Sequence, residues 1–114
     1  MYKEDTIAAI ATAPGAGGIG IIRLSGQKAM EIADTVFASP NGKKIANLPT
    51  YTAAFGRIVD QKGELIDEAI ALLMRGPKSY TCEDVVELQC HGGPQALRSV
   101  LRAVYEAGAR PAEP

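Results

Sequence analysis

Tyr51-Thr-Ala-Ala-Phe-Gly-Arg-Ile-Val-Asp60 and Glu64-Leu-Ile-Asp-Glu-Ala-Ile-Ala-Leu-Leu-Met74 are two strand-like runs. Asp60-Gln-Lys-Gly63 joins them, and a glycine in so short a polar link signals a hairpin. A third run, Asp84-Val-Val-Glu-Leu-Gln-Cys90, follows a loop over Arg75-Gly-Pro-Lys-Ser-Tyr80. Upstream, Asp5 to Thr12 reads as a short buried strand and Ile19 to Ser25 as a second. Pro14 and the glycines between them require a turn.

Two helices complete the pattern. Met30, Ala33, Val36 and Phe37 recur at helical spacing, which predicts a helix over Gln27 to Ala38 with Ser25 as its entry residue. After His91-Gly-Gly-Pro94, the positions Leu97, Val100, Leu101, Val104 and Tyr105 form an apolar stripe that Gly108 ends. The order β-β-α-β-β-β-α predicts an α+β fold, with two helices on one face of a mostly antiparallel sheet.

Composition narrows the function classes. The 114 residues make one domain, and 46% apolar content supplies a core of ordinary size. Twelve Lys and Arg against 13 Asp and Glu leave no basic footprint for nucleic acid and no polybasic membrane patch. Cys82 and Cys90 are too few for a disulfide framework and suit a reducing compartment. The first residues lack a signal peptide's apolar segment, and Pro14 with several glycines interrupts the longest uncharged run, Thr6 to Ile22. A soluble, cytoplasmic chain is expected.

Several motifs carry possible chemistry. Gly15-Ala-Gly-Gly-Ile-Gly20 fits G-x-G-x-x-G, but a dinucleotide fingerprint must open a helix, and here β-rich sequence follows. A glycine-rich turn, or an amide nest lining a pocket, fits that context better. No P-loop pattern occurs, so this chain has no such route to GTP or ATP. Cys90 and His91 adjoin on a strand and so point to opposite faces, which argues against thiol catalysis; no zinc-site spacing occurs, so no catalytic or metal residue is assigned.

Arg23 interrupts Ile19-Gly-Ile-Ile-Arg-Leu. It either snorkels to a sheet-edge ion pair or presents its guanidinium in a pocket. Glu87 is its natural counterpart, sharing a strand face with Val85 and Gln89 while Val86 and Leu88 take the other. A carboxylate there is either solvated or aimed at a ligand. A pterin-like ring, for example, offers adjacent N–H donors.

Two long stretches resemble a known family. Asp5-Thr-Ile-Ala-Ala-Ile-Ala-Thr-Ala-Pro-Gly-Ala-Gly-Gly-Ile-Gly-Ile-Ile-Arg-Leu-Ser-Gly26 resembles the opening of the MnmE (TrmE) family of tRNA-modification GTPases. Pro77-Lys-Ser-Tyr-Thr-Cys-Glu-Asp-Val-Val-Glu-Leu-Gln-Cys-His-Gly-Gly-Pro94 is similar to that family's second signature, in the right order and separation. The likeness extends over essentially the whole chain.

The resemblance implies a fold similar to the folate-binding domain of the glycine-cleavage aminomethyltransferase. It implies that residues 1–114 bind a tetrahydrofolate one-carbon carrier (5-formyl- or methylene-tetrahydrofolate) and mediate homodimerisation. Arg23 and Glu87 stand where the family contacts formyl-tetrahydrofolate, and a further contact, a lysine, would follow just after Pro114. In such proteins a helical domain and a GTPase domain using GTP, Mg2+ and K+ come next. With the FAD-containing partner MnmG (GidA), they modify the wobble uridine of tRNA. This chain is then expected to be the front piece of an enzyme and catalytically silent alone. Ala16 departs from members that carry Arg in the glycine-rich turn, which would weaken any hold on an anionic ligand. The alternative is a purely structural dimerisation module, with a nicotinamide-binding fragment as a third reading.

Overall fold

The computed structural model describes residues 6–11, 18–76 and 83–112. In chain order these form β1 (Ile7–Ile10), β2 (Gly20–Ser25), α1 (Ala29–Val36), β3 (Phe37–Ala38), a short 3-10 turn (Ile45–Asn47), β4 (Thr52–Val59), β5 (Leu65–Met74), β6 (Val85–Cys90), α2 (Pro94–Glu106) and β7 (Arg110–Pro111). The seven strands make one sheet in the order β3-β4-β5-β6-β2-β1-β7. Every pairing is antiparallel except β1 with β7. The fold is thus α+β with a mostly antiparallel sheet, as the element order predicts.

The hairpin forms where its sequence places it. Asp60 N–H donates to the Glu64 carbonyl and Gly63 N–H to the Asp60 carbonyl, with Gly63 at φ +82°. The Asp60 carboxylate accepts from the Lys62 and Glu64 amides, which tightens the turn.

Side-chain alternation divides the sheet into two unlike faces. Ile22, Leu88 and Ala71 lie side by side across β2, β6 and β5, as do Leu24, Val86 and Leu73. All six are fully buried and belong to one cluster with Ile32, Ala33 and Val36 of α1 and Leu97, Val100 and Val104 of α2. Both helices therefore cover the same face. Leu97 and Val104 of the α2 stripe are core residues, while Leu101 and Tyr105 pack at its margin.

The first helix differs from its prediction at both ends. It stops at Val36, and Phe37 turns extended (φ −112°, ψ 130°) to pair with β4. The cause lies far away in sequence. Gly56 of β4 leaves a gap that the Phe37 ring fills, and a Cβ there would collide with that ring and approach the Ala38 carbonyl oxygen to 2.6 Å. Ser25 is not the cap, because its hydroxyl donates to Glu83 Oε1 instead. Thr6 of the neighbouring segment does comparable work, its Oγ1 accepting from the Lys28 amide at 2.9 Å.

Among the described residues, no helix is long and apolar enough to cross a membrane.

Candidate functional site

The face opposite the helices carries the two charged residues singled out by sequence. Its rows run Ala9–Arg23–Glu87–Leu72–Ala53 and Ile21–Gln89–Ile70–Phe55, reading outward from β1 or β2 to β4. Toward the hairpin end, the next pair on this face is Glu68–Arg57. Neither α1 nor α2 packs there.

Arg23 and Glu87 are direct cross-strand neighbours on β2 and β6. Arg23 Nε donates to Glu87 Oε2 at 2.8 Å and Nη2 to the same oxygen at 2.6 Å. The two residues the sequence proposes as ligand contacts are therefore an ion pair, the arrangement that the structural alternative also expects. The pair is lopsided. The Glu87 side chain is only 7% exposed, whereas that of Arg23 is 38% exposed. Both donors converge on Oε2, so Oε1 accepts no hydrogen bond among the described residues. It is not sealed away, since no wholly buried side-chain oxygen or nitrogen lacks a partner among the described residues. A mostly buried carboxylate oxygen with spare lone pairs is costly to leave dry, and it is a ready acceptor for two N–H donors.

The glycine-rich motif is only partly described, because Gly15 and Gly17 lie outside the described residues, as does Cys82. Its last glycine, Gly20, opens a strand and not a helix. A Cβ at Gly20 would come within 2.7 Å of the Leu97 side chain, so its smallness serves the seating of α2. The dinucleotide context is absent at this point.

Cys90 and His91 diverge as their spacing predicts: Cys90 is buried and His91 exposed. Burial, with the Asp67 carboxylate adding to it, pushes the Cys90 thiol up from 9.0 to about 12, so it stays protonated at neutral pH. Among the described residues no three His, Cys, Asp or Glu side chains gather where they could hold a metal ion.

Three polar staples escaped sequence reasoning. Asp67 Oδ2 accepts from the amides of His91 (3.1 Å) and Gly92 (2.8 Å), fixing the turn between β6 and α2. Asp34 accepts from the Ile45 and Ala46 amides and so caps the 3-10 turn. Arg75 Nη2 donates to the carbonyls of Ala46 and Leu48. No local pattern announces these contacts, since each joins residues distant in sequence. On the helix side, a groove of about 620 Å³ lies between α2 and the start of β5, lined by Leu65, Ile66, Ser99, Arg102 and Glu106 among others. It includes neither Arg23 nor Glu87.

Comparison with known proteins is decisive about kinship. The model of the family described as GTP-binding protein TrmE N-terminus matches residues 6–114. The chain is 54% identical over 97% of its length to a tRNA modification GTPase MnmE of Symbiobacterium thermophilum, covering 24% of that protein. It is 48% identical to the protein of that name from Alkaliphilus oremlandii and 50% identical to that from Geobacillus thermodenitrificans, over its full length and 25% of theirs. It thus spans about a quarter of the length of the curated relatives it matches. By the extent of the model match and the level of identity, the chain belongs to the TrmE N-terminus family.

Proposed function

We propose that this chain is the tetrahydrofolate-binding and dimerisation part of a tRNA-modifying GTPase. The observation that carries the ligand reading is the Glu87 carboxylate, with Oε2 saturated by Arg23 and Oε1 left as an acceptor at the open face. A reduced pterin presents adjacent N–H donors on one edge, and a carboxylate held rigidly by a guanidinium suits them. Arg23 holds the Glu87 carboxylate in place through its two hydrogen bonds, and its partly exposed guanidinium can meet a ligand carbonyl. When bound, the carrier supplies a one-carbon unit, and these side chains only hold and orient it.

The relatives' name supports the tRNA-modifying GTPase, and the family resemblance alone suggests the rest. In the longer protein, a GTPase part using GTP, Mg2+ and K+ would act with MnmG on the wobble uridine of tRNA in the cytoplasm. The second reading is a structural dimerisation module, and the Arg23–Glu87 ion pair itself favours it, since two charges that satisfy each other need no ligand.

Titration of the full-length protein with 5-formyltetrahydrofolate, NAD and GTP separates these readings. Glu87→Gln places an amide N–H₂ against the ligand's donors or swaps it against Arg23, so folate affinity should fall at least about tenfold, or about 1.4 kcal/mol. Unchanged folate binding in that variant would remove Glu87 from the site. Sedimentation at several concentrations tests dimerisation, and a persistent monomer would refute it.

A further inference from the structure

The helix-free face does not end at Arg23 and Glu87. Moving from Glu87 across β5 and β4, the surface runs over Leu72 and Ile70 to Phe55, which is 51% exposed, and then to Arg57. Phe55 directly opposes Ile70, and Arg57 opposes Glu68. Arg57 is exposed and makes no ion pair or hydrogen bond among the described residues, Glu68 included. An exposed phenylalanine followed by an unpaired arginine, on the face that already holds a buried acceptor, is an ordered sequence of chemistries: acceptor, aromatic platform, cation.

The dimensions are those of one elongated ligand. Two strand spacings separate Glu87 from Arg57 across the sheet, about 10 Å, and four residues separate their rows along it, about 14 Å. The diagonal is therefore about 17 Å, close to the span of an extended folate from pterin to terminal carboxylates. Resting on the folate reading above, we propose that Phe55 and Arg57 form a second subsite that takes the ligand's benzoyl ring and anionic tail. The ring lies over Phe55 and Ile70, where offset stacking and apolar burial hold it. The carboxylate meets the Arg57 guanidinium, whose planar fork donates two parallel hydrogen bonds to it. Glu68, across from Arg57, opposes the tail's charge and limits the gain.

The test uses full-length protein and two probes, 5-formyltetrahydrofolate and the matching formyl-tetrahydropterin that lacks the benzoylglutamate tail. Arg57→Gln should weaken the complete carrier about fivefold and leave the tailless pterin unchanged, with the loss shrinking as salt is raised. Phe55→Ala should behave likewise, and Glu68→Gln should strengthen the complete carrier alone. Glu87→Gln, in contrast, should weaken both probes. All three new positions are exposed, so the variants fold. If Arg57→Gln binds both probes as the wild type does, or loses them equally, the tail subsite is wrong while the Glu87 reading stands. Should the wild-type protein bind neither probe, both readings fall together.

Discussion

The chain holds two phenylalanines, and the sheet puts one on each face. Phe37 is 6% exposed and lies in the core cluster with both helices, its ring over Gly56. Phe55, one residue from that glycine, is 51% exposed on the helix-free face. Neighbouring positions of one strand thus meet opposite fates. The helix side is a packed interior where volume decides, whereas the other side mixes apolar residues with Arg23, Glu87, Gln89 and Arg57. The first face makes the fold, and the second carries the proposed site.

The sharpest way to break this contrast is to empty the packed side. Phe37→Ala should cost about 3–5 kcal/mol in chemical denaturation, because the ring leaves a cavity that the rigid β4 backbone cannot close. A loss under 1 kcal/mol would mean that β3 and Gly56 do not pack as described. Next in size is Arg23→Leu, which leaves the Glu87 carboxylate without its only ionic partner among the described residues. The Glu87 side chain is nearly buried but the Arg23 side chain is not, so solvent screens part of the pair and the expected cost is about 1–3 kcal/mol. Arg23→Leu with Glu87→Leu should recover most of that stability while leaving folate binding lost. Folate binding retained in the double variant would instead remove both residues from the ligand site.

How much of this was legible in the sequence follows from the range of the interactions. The β4–β5 hairpin, the α2 stripe and the alternation of β6 depend on neighbours a few residues apart, and all three lie where the residues predict. The end of α1 does not, because Phe37 answers to Gly56, nineteen positions away in the numbering. The Thr6 hydroxyl that meets the Lys28 amide comes from the segment just before β1, so Ser25 looked like the local cap. For the site, the sequence nominated Arg23 and Glu87 as counterparts. Their direct contact needs β2 beside β6, a strand order that no local pattern encodes. Phe55 and Arg57 were invisible for the same reason: on β4 alone they are an ordinary exposed alternation.

A smaller effect separates the faces by titration. Cys90 belongs to the packed cluster, and its thiol is raised from 9.0 to about 12. Below pH 9 the thiol is protonated in folded and unfolded chains alike, and its stabilising contribution is fully present. Above that, the unfolded chain releases a proton that the folded one retains, so stability falls until the pH reaches about 12. Between pH 8 and pH 10 this should remove about 1.4 kcal/mol in a Cys82→Ser background, and Cys90→Ala should abolish that part of the decline. An identical decline in both proteins would show that Cys90 is not protected by burial.

The smallest expected effect is the most informative about the open face. Phe55→Ala should shift stability by only about 1 kcal/mol, because a half-exposed ring on an uncovered strand gives up about half of what a fully buried phenylalanine does. Measured at increasing protein concentration, the same substitution reports what the face meets. If a second copy covered Phe55, unfolding would be linked to dissociation, and the cost of Phe55→Ala would grow with concentration as the dimer becomes populated. If the ring instead waits for a ligand, the cost stays small at every concentration and increases only when 5-formyltetrahydrofolate is added. The two occupants require the same exposed phenylalanine but leave opposite concentration dependences, so a single series of denaturation curves assigns the face to one of them.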